Sequence, residues 1–225
     1  MVSVLIIGSS RGIGLELARQ YLIDGCDVHA TTRSGEVPSA LASFENQPKM
    51  YALDVREMRQ INAMVESLAN APIDILVISA GIYDRVGGQS GSGPAIPEDE
   101  VMAVNAIAPM NVAEALFPNL KAAENGRMIF ISSAIASRRR GMQNSVYANS
   151  KRALNDAIRR YAPEWAQHGV SGLALHPGWV ITDMGGADGQ VTPEDSAAGI
   201  RWIADGMSLE HNGGFYNYQG DVIPW

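Results

Sequence analysis

Short apolar runs alternate along this chain with amphipathic stretches of helical length, and that alternation restricts the fold more than any other feature. The apolar runs read as strands at residues 2–7, 27–32, 49–53, 73–78, 127–132 and 170–175. The stretches between them read as helices at 12–23, 57–70, 97–116, 146–167 and 193–205, with a shorter helix at 37–45. Runs such as Val4-Leu5-Ile6-Ile7 and Ile75-Leu76-Val77-Ile78 are apolar at every position. A strand with one wet face would alternate with polar residues. A continuously apolar strand is covered on both faces, as in a parallel sheet with helices above and below it. A last short strand near 215–218 would close one edge. The expectation is a single α/β domain over 1–225, built on a doubly wound parallel sheet of about seven strands.

Composition narrows the function classes. A net charge of −7 argues against nucleic acid and anionic membranes as partners. No run approaches the roughly 18 apolar residues needed to span a bilayer. The first residues, Met1-Val2-Ser3-Val4, lack a basic leader and read as a strand rather than a signal peptide. The single cysteine, Cys26, has no partner in metal-ligand spacing, so no metal site is expected and a packed thiol is. One cysteine also fits a reducing compartment, and a cytoplasmic location is the expectation.

The first strand runs directly into Gly8-Ser9-Ser10-Arg11-Gly12-Ile13-Gly14, which opens the first helix. Glycines let a backbone approach a pyrophosphate, and a helix N-terminus supplies free N–H donors and a favourable dipole. Between a strand and a helix, this loop marks a Rossmann-type dinucleotide site. An acidic residue at the end of the second strand would bind the ribose 2′-hydroxyl of NAD, but this chain has Thr32-Arg33 there. Arg33 and Arg11 suit the extra phosphate of NADP(H), with NAD(H) as the lesser alternative. Asp54-Val55, after the third strand, would hydrogen-bond and pack against the adenine.

Tyr147 and Lys151 lie four positions apart on the helix expected at 146–167 and share a face. An ammonium beside a phenol lowers a pKa that starts near about 10, giving an acid for a carbonyl oxygen. Alone, the pair is also what an ordinary helix surface shows. Its weight comes from its company.

In chain order the glycine loop, Asp54, Asn105, Ser132-Ser133, Tyr147, Lys151 and Pro177-Gly178 resemble the short-chain dehydrogenase/reductase family across essentially the whole chain. The stretch from His176-Pro177-Gly178-Trp179 to Gly185-Gly186, and the ending from Gly213-Gly214 to Trp225, are most similar to its sniffer and C-factor group of carbonyl reductases. The resemblance implies NADPH-dependent reduction of an aldehyde or ketone, with Tyr147 as general acid. It implies that Lys151 tunes Tyr147 and binds the nicotinamide ribose. Ser133 would orient the carbonyl, and Ser132 stays in reserve because the spacing to Tyr147 is one residue long for the family. Asn105 would hold a water linking Lys151 to solvent. Val180 and Thr182 would fix the nicotinamide carboxamide, with Pro177-Gly178 walling the ring. A homodimer or homotetramer pairing the Asn105 and Tyr147 helices is implied too. So is an alternative, a dinucleotide-binding signalling or sensor protein with little turnover.

Three departures stand out. Ile7 replaces the usual Thr, and Ile78-Ser79-Ala80-Gly81 replaces the usual Asn-Asn-Ala-Gly, so Ser79 would hold the adjoining strand or the adenosine ribose. Arg138-Arg139-Arg140 reads either as a solvated basic turn or as an anchor for an acidic substrate. The substrate pocket would draw on residues 84–95, read as a mobile loop, on the region after Ser133 and on a lid at 182–192, with Trp179, Met184 and Met142 as apolar walls.

Overall fold

Seven parallel strands form one sheet in the order β3-β2-β1-β4-β5-β6-β7. The computed structural model describes residues 1–88, 91, 93–140 and 144–225. The strands are β1 (Ser3–Ile7), β2 (Asp27–Thr32), β3 (Lys49–Ala52), β4 (Ile75–Ile78), β5 (Arg127–Ile131), β6 (Ser171–His176) and β7 (Phe215–Asn217). The chain builds outward from β1 through β2 and β3. It then crosses to the other side of β1 and builds β4 to β7. All seven strands point the same way, so every following loop leaves from one edge of the sheet.

Two cores explain why the strands are apolar throughout. On one face Leu5, Ile7, Leu76 and Phe130 pack with Ile61 and Met64 of α2 (Met58–Leu68) and with Leu154 and Ile158 of the long helix 146–167. On the other face Val4, Ile6, Val77 and Ile129 pack with Leu17 and Tyr21 of α1 (Gly12–Ile23) and with Ile200 and Ile203 of the helix at 193–206. Alternate side chains of a strand enter opposite cores. Cys26 packs against the second core, and burial pushes its thiol pKa up.

The expected helix at 97–116 is continuous but not uniform. It runs as α3 (Glu98–Met102), a π-helical stretch (Ala103–Ile107), α4 (Ala108–Ala115) and α5 (Phe117–Ala122). Pro109 explains the widened turn: it has no N–H to give the carbonyl of Asn105, and its ring would crowd that carbonyl in regular α-geometry. The helix expected at 37–45 is reduced to a single turn, Ser39–Leu41. Leu41 is its one fully buried residue, and Asn46 Nδ2 donates to the Leu22 carbonyl (3.2 Å), fastening the segment without further turns. The remaining helices are α6 (Val146–Gln167) and α7 (Pro193–Gly206), capped by the hydroxyls of Ser145 and Thr192.

Two glycines hold the edge of the sheet against α1. Gly8 adopts φ +89°, and a Cβ there would meet the Ala80 backbone at 2.9 Å. At Gly14 a Cβ would meet the Gly8 carbonyl oxygen at 2.0 Å, a position that backbone already fills. Gly14→Ala is therefore expected to cost about 2 kcal/mol or more by forcing α1 off β1. Urea unfolding checks this, and a midpoint equal to the wild type would show that the helix has room to shift.

Candidate active site

The loops leaving the carboxyl ends of β1, β2, β3 and β4 open onto a cleft of about 650 Å³, which the loop after β6 also lines. Most of the residues singled out in the sequence line it: Gly8, Ser10, Arg11, Gly12 and Ile13 from the glycine loop, Arg33 after β2, and Asp54 and Val55 after β3. Ser79, Ala80 and Gly81 follow β4 into the same wall, joined by Tyr147, Lys151, Pro177 and Thr182. Gly14, Gly178, Val180, Asn105 and Ser133 do not line it. Gly14 serves packing, as above. Gly178 (φ +87°) turns the chain against Val191 and Tyr218, and Val180 is buried and pairs with Val191.

The glycine loop fits a phosphate. Arg11 stands at the N-cap of α1, yet no side chain caps the helix and no acidic residue lies in its first turn. The first N–H groups of α1 therefore keep their dipole and lack an internal side-chain acceptor. Behind them the loop is fixed: Gly8 N–H donates to Thr31 Oγ1 (2.9 Å), and Ser9 N–H and Oγ donate to the Thr31 carbonyl (2.8 and 3.0 Å). Thr31 thus holds the loop that Ile7 does not, a contact the sequence reading missed.

The corner of the cleft after β3 carries a second missed residue. Asp54 is engaged bidentately by Arg56 (2.8 and 3.0 Å), which also reaches Glu100 (3.1 Å), and both Arg56 and Glu100 line the cleft. The Arg56 hydrogen bonds hold the Asp54 carboxyl down at about 2. Its place two residues after Asp54 was the available signal. Arg33, in the same cleft, forms no ion pair among the described residues.

Asn105 is a clamp. Its Oδ1 accepts from Ile82 N–H (2.9 Å), and its Nδ2 donates to the Ile82 carbonyl (2.8 Å) and to Ser150 Oγ (3.0 Å). The fully buried side chain thus ties the loop after β4 to α6 one residue before Lys151. Both its amide hydrogens are engaged, so a water at this side chain would donate to the remaining lone pair of Oδ1.

The two serines differ: Ser132 lines the cleft at the end of β5, and Ser133 does not. Ser132 Oγ donates to Asn155 Oδ1 (2.6 Å) and is buried. The Ser133 hydroxyl, which accepts from Ile135 N–H (3.5 Å), acts on the Tyr147 phenol to pull its pKa down. Lys151 donates to the Ile131 carbonyl (2.8 Å), with Nζ 5.8 Å from the Tyr147 ring centre. Tyr83 packs on the same ring at 4.8 Å, and Asp84 accepts from the Tyr147 backbone N–H (3.2 Å).

The expected low phenol pKa is corrected here. Burial pushes Tyr147 above the ordinary tyrosine range, and the Ser133 hydroxyl offsets only part of that. Burial also takes Lys151 down to about 8, so the ammonium is itself poorly stabilised. Desolvation outweighs the pairing of the two groups in this state.

Among the outer features, the loop at 84–95 is pinned at its described ends by pairing of Arg85 with Ala95. Trp179 donates to the Gly185 carbonyl (2.7 Å), tying the 182–192 segment back on itself, while Met184 lines the cleft and Met142 lies outside the described residues. Arg138 is paired bidentately with Asp156 (2.8 and 2.6 Å), and none of Arg138, Arg139 and Arg140 lines the cleft. The solvated turn is the reading that fits. No helix among the described residues is long and apolar enough to cross a membrane, and no cluster of His, Cys, Asp or Glu suited to a metal occurs among them.

Comparison with known proteins agrees with this geometry. Residues 3–191 match the family described as short chain dehydrogenase. The C-signal protein of Myxococcus xanthus is 32% identical over 170 residues, covering 73% of this chain and all of that protein. An NADPH-bound carbonyl reductase from chicken fatty liver superposes with a TM-score of 0.86 at 30% identity, over 99% of this chain and 98% of that one. The carbonyl reductase Sniffer of D. melanogaster superposes at 0.88 with 26% identity over both whole chains.

Lys151 carries a pH signature. Its proton leaves near 8 in the folded protein but near 10.5 in the unfolded chain, so between those values the unfolded state binds more protons. The Lys151 contribution to stability without cofactor should therefore climb by about 3 kcal/mol as pH rises through that window, opposed toward its upper end by the raised Tyr147. Lys151→Met should flatten the climb in denaturant titrations. An equal slope in both proteins would show that Lys151 keeps its ordinary pKa.

Proposed function

Because the chain belongs to the short-chain dehydrogenase family, we propose that it is an NADPH-dependent reductase of small aldehydes or ketones, with Tyr147 as the proton donor. The observation that carries this reading is the convergence of Tyr147 and Lys151 with the glycine loop on one cleft, Lys151 Nζ lying 5.8 Å from the Tyr147 ring centre. NADPH, when bound, supplies the hydride. The glycine loop and the N-terminus of α1 would hold its pyrophosphate, Arg11 and Arg33 its 2′-phosphate, and Asp54 and Val55 its adenine. Ser79, Ala80 and Gly81 would border the adenosine side, and Pro177 and Thr182 the nicotinamide.

The chain's own groups manage the proton. A carbonyl oxygen placed between Ser133 and Tyr147 accepts a hydrogen bond from each, and Tyr147 transfers its proton as charge develops on that oxygen. A phenol kept protonated by burial suits this direction, because the acid form is fully populated at neutral pH. Lys151 then faces a nascent phenolate, and its ammonium stabilises that charge more strongly in the desolvated cleft than it would in water. The Asn105 clamp keeps the Lys151 segment of α6 in register with the loop after β4.

A binding or signalling protein without turnover is the competing reading, prompted by the C-signal relative. The complete Ser133, Tyr147 and Lys151 set favours turnover, since a binder has no need of a protonated phenol beside a buried lysine.

Tyr147→Phe is expected to keep NADPH affinity while losing nearly all carbonyl-dependent NADPH oxidation. Unchanged turnover would contradict the assignment. Ser133→Ala should lower kcat by about 10²–10³, the usual cost of removing an oxyanion donor. Ser132→Ala should act mainly on stability through Asn155. A kcat loss confined to Ser132→Ala would reverse the two roles.

A further inference from the structure

The glycine loop and the segment after β6 meet at one charged contact that the proposed chemistry does not use. Arg11 Nη1 lies 2.7 Å from Asp183 Oδ2, with both side chains largely exposed, at 71% and 72%. The contact is backed by packing. The Thr182 methyl group would lie 3.3 Å from a Cβ on Gly12, and a Cβ on Gly88 would come within 2.6 Å of the Asp183 carbonyl. Arg11 and Asp183 both line the cleft, along with Arg33.

We propose that Asp183 is a specificity-determining residue for the cofactor: its carboxylate occupies Arg11 in place of a dinucleotide 2′-phosphate, which must displace it. The proposal rests on the reading that Arg11 takes that phosphate. One guanidinium presents a planar fork that matches a single carboxylate or phosphate at a time. A phosphate dianion competes well for it, and an exposed carboxylate pair is held only weakly. Exchange is therefore easy. Once displaced, Asp183 remains beside the phosphate as a like charge. Affinity for the phosphorylated dinucleotide is then lower than two arginines alone would give. NADH carries no 2′-phosphate and leaves the pair closed. The two cofactors thus differ in whether the segment from Thr182 to Met184 stays fastened to the glycine loop.

Equilibrium dissociation constants for NADPH and NADH, measured by calorimetry, test this on the wild type, Asp183→Asn, Arg11→Ala and the double variant. Asp183→Asn should tighten NADPH by about two- to five-fold and leave NADH unchanged. The gain should vanish in the Arg11→Ala background, and also at about 1 M salt, where exposed charges are screened. A weaker or unaltered NADPH affinity in Asp183→Asn overturns the proposal, as does an equal shift for both cofactors. If Arg11→Ala lowers NADPH affinity selectively while Asp183→Asn does nothing, only the role of Asp183 fails. If Arg11→Ala leaves the NADPH preference intact, the reading of Arg11 fails and the proposal with it. Thermal melts of each variant separate these outcomes from misfolding.

Discussion

The site depends on β1 and β4 lying side by side, because that pairing is where the chain reverses its order across the sheet. The loops after the two strands would otherwise cover each other's ends. With helices sent to opposite faces, they part and leave a crevice, the general reason that such sheets bind ligands there. The closeness is literal at Gly8, where a Cβ would strike the Ala80 backbone. Ile7 supports both sides at once: its carbonyl accepts from Ser79 and from Ala80 (3.0 and 2.9 Å). The glycine loop and the loop that carries Ile82 and Tyr83 are therefore joined at the end of β1. Asn105 extends that junction to α6, and so to Tyr147 and Lys151.

That chain of contacts explains a protein that binds its charges dry. Lys151 is nearly fully buried, yet one of its protons goes to the Ile131 carbonyl at the end of β5. Desolvation raises Tyr147 and lowers Lys151 together, which leaves the resting pair as a neutral phenol beside an ammonium that loses its proton more readily than in water. A site tuned in this way responds strongly to charge arriving in the cleft.

Much of the fold was legible because its strands are apolar at every position, a pattern set by burial on both faces. Strand ends were less so, since pairing partners decide them. Residue 73 reads as strand by composition, but Ile73 N–H goes to the Asn119 carbonyl and the strand begins at Ile75. The residues of the site were legible by type and order. Their partners were not, because those lie far apart in sequence: Arg11 with Asp183, Asn105 with Ile82 and Ser150, Thr31 with Gly8. The spacing of Asn105 and Pro109, with its missing N–H one turn on, was a readable sign of the widened turn.

The central claim is that this cleft moves a hydride to a carbonyl carbon. The most direct measurement supplies NADPH deuterated at its transferable position with a panel of small aldehydes and ketones, and follows the label by mass spectrometry. The account predicts one deuterium on the carbinol carbon of the product for each cofactor oxidised. Tight NADPH binding with no deuterium transferred to any carbonyl would contradict it.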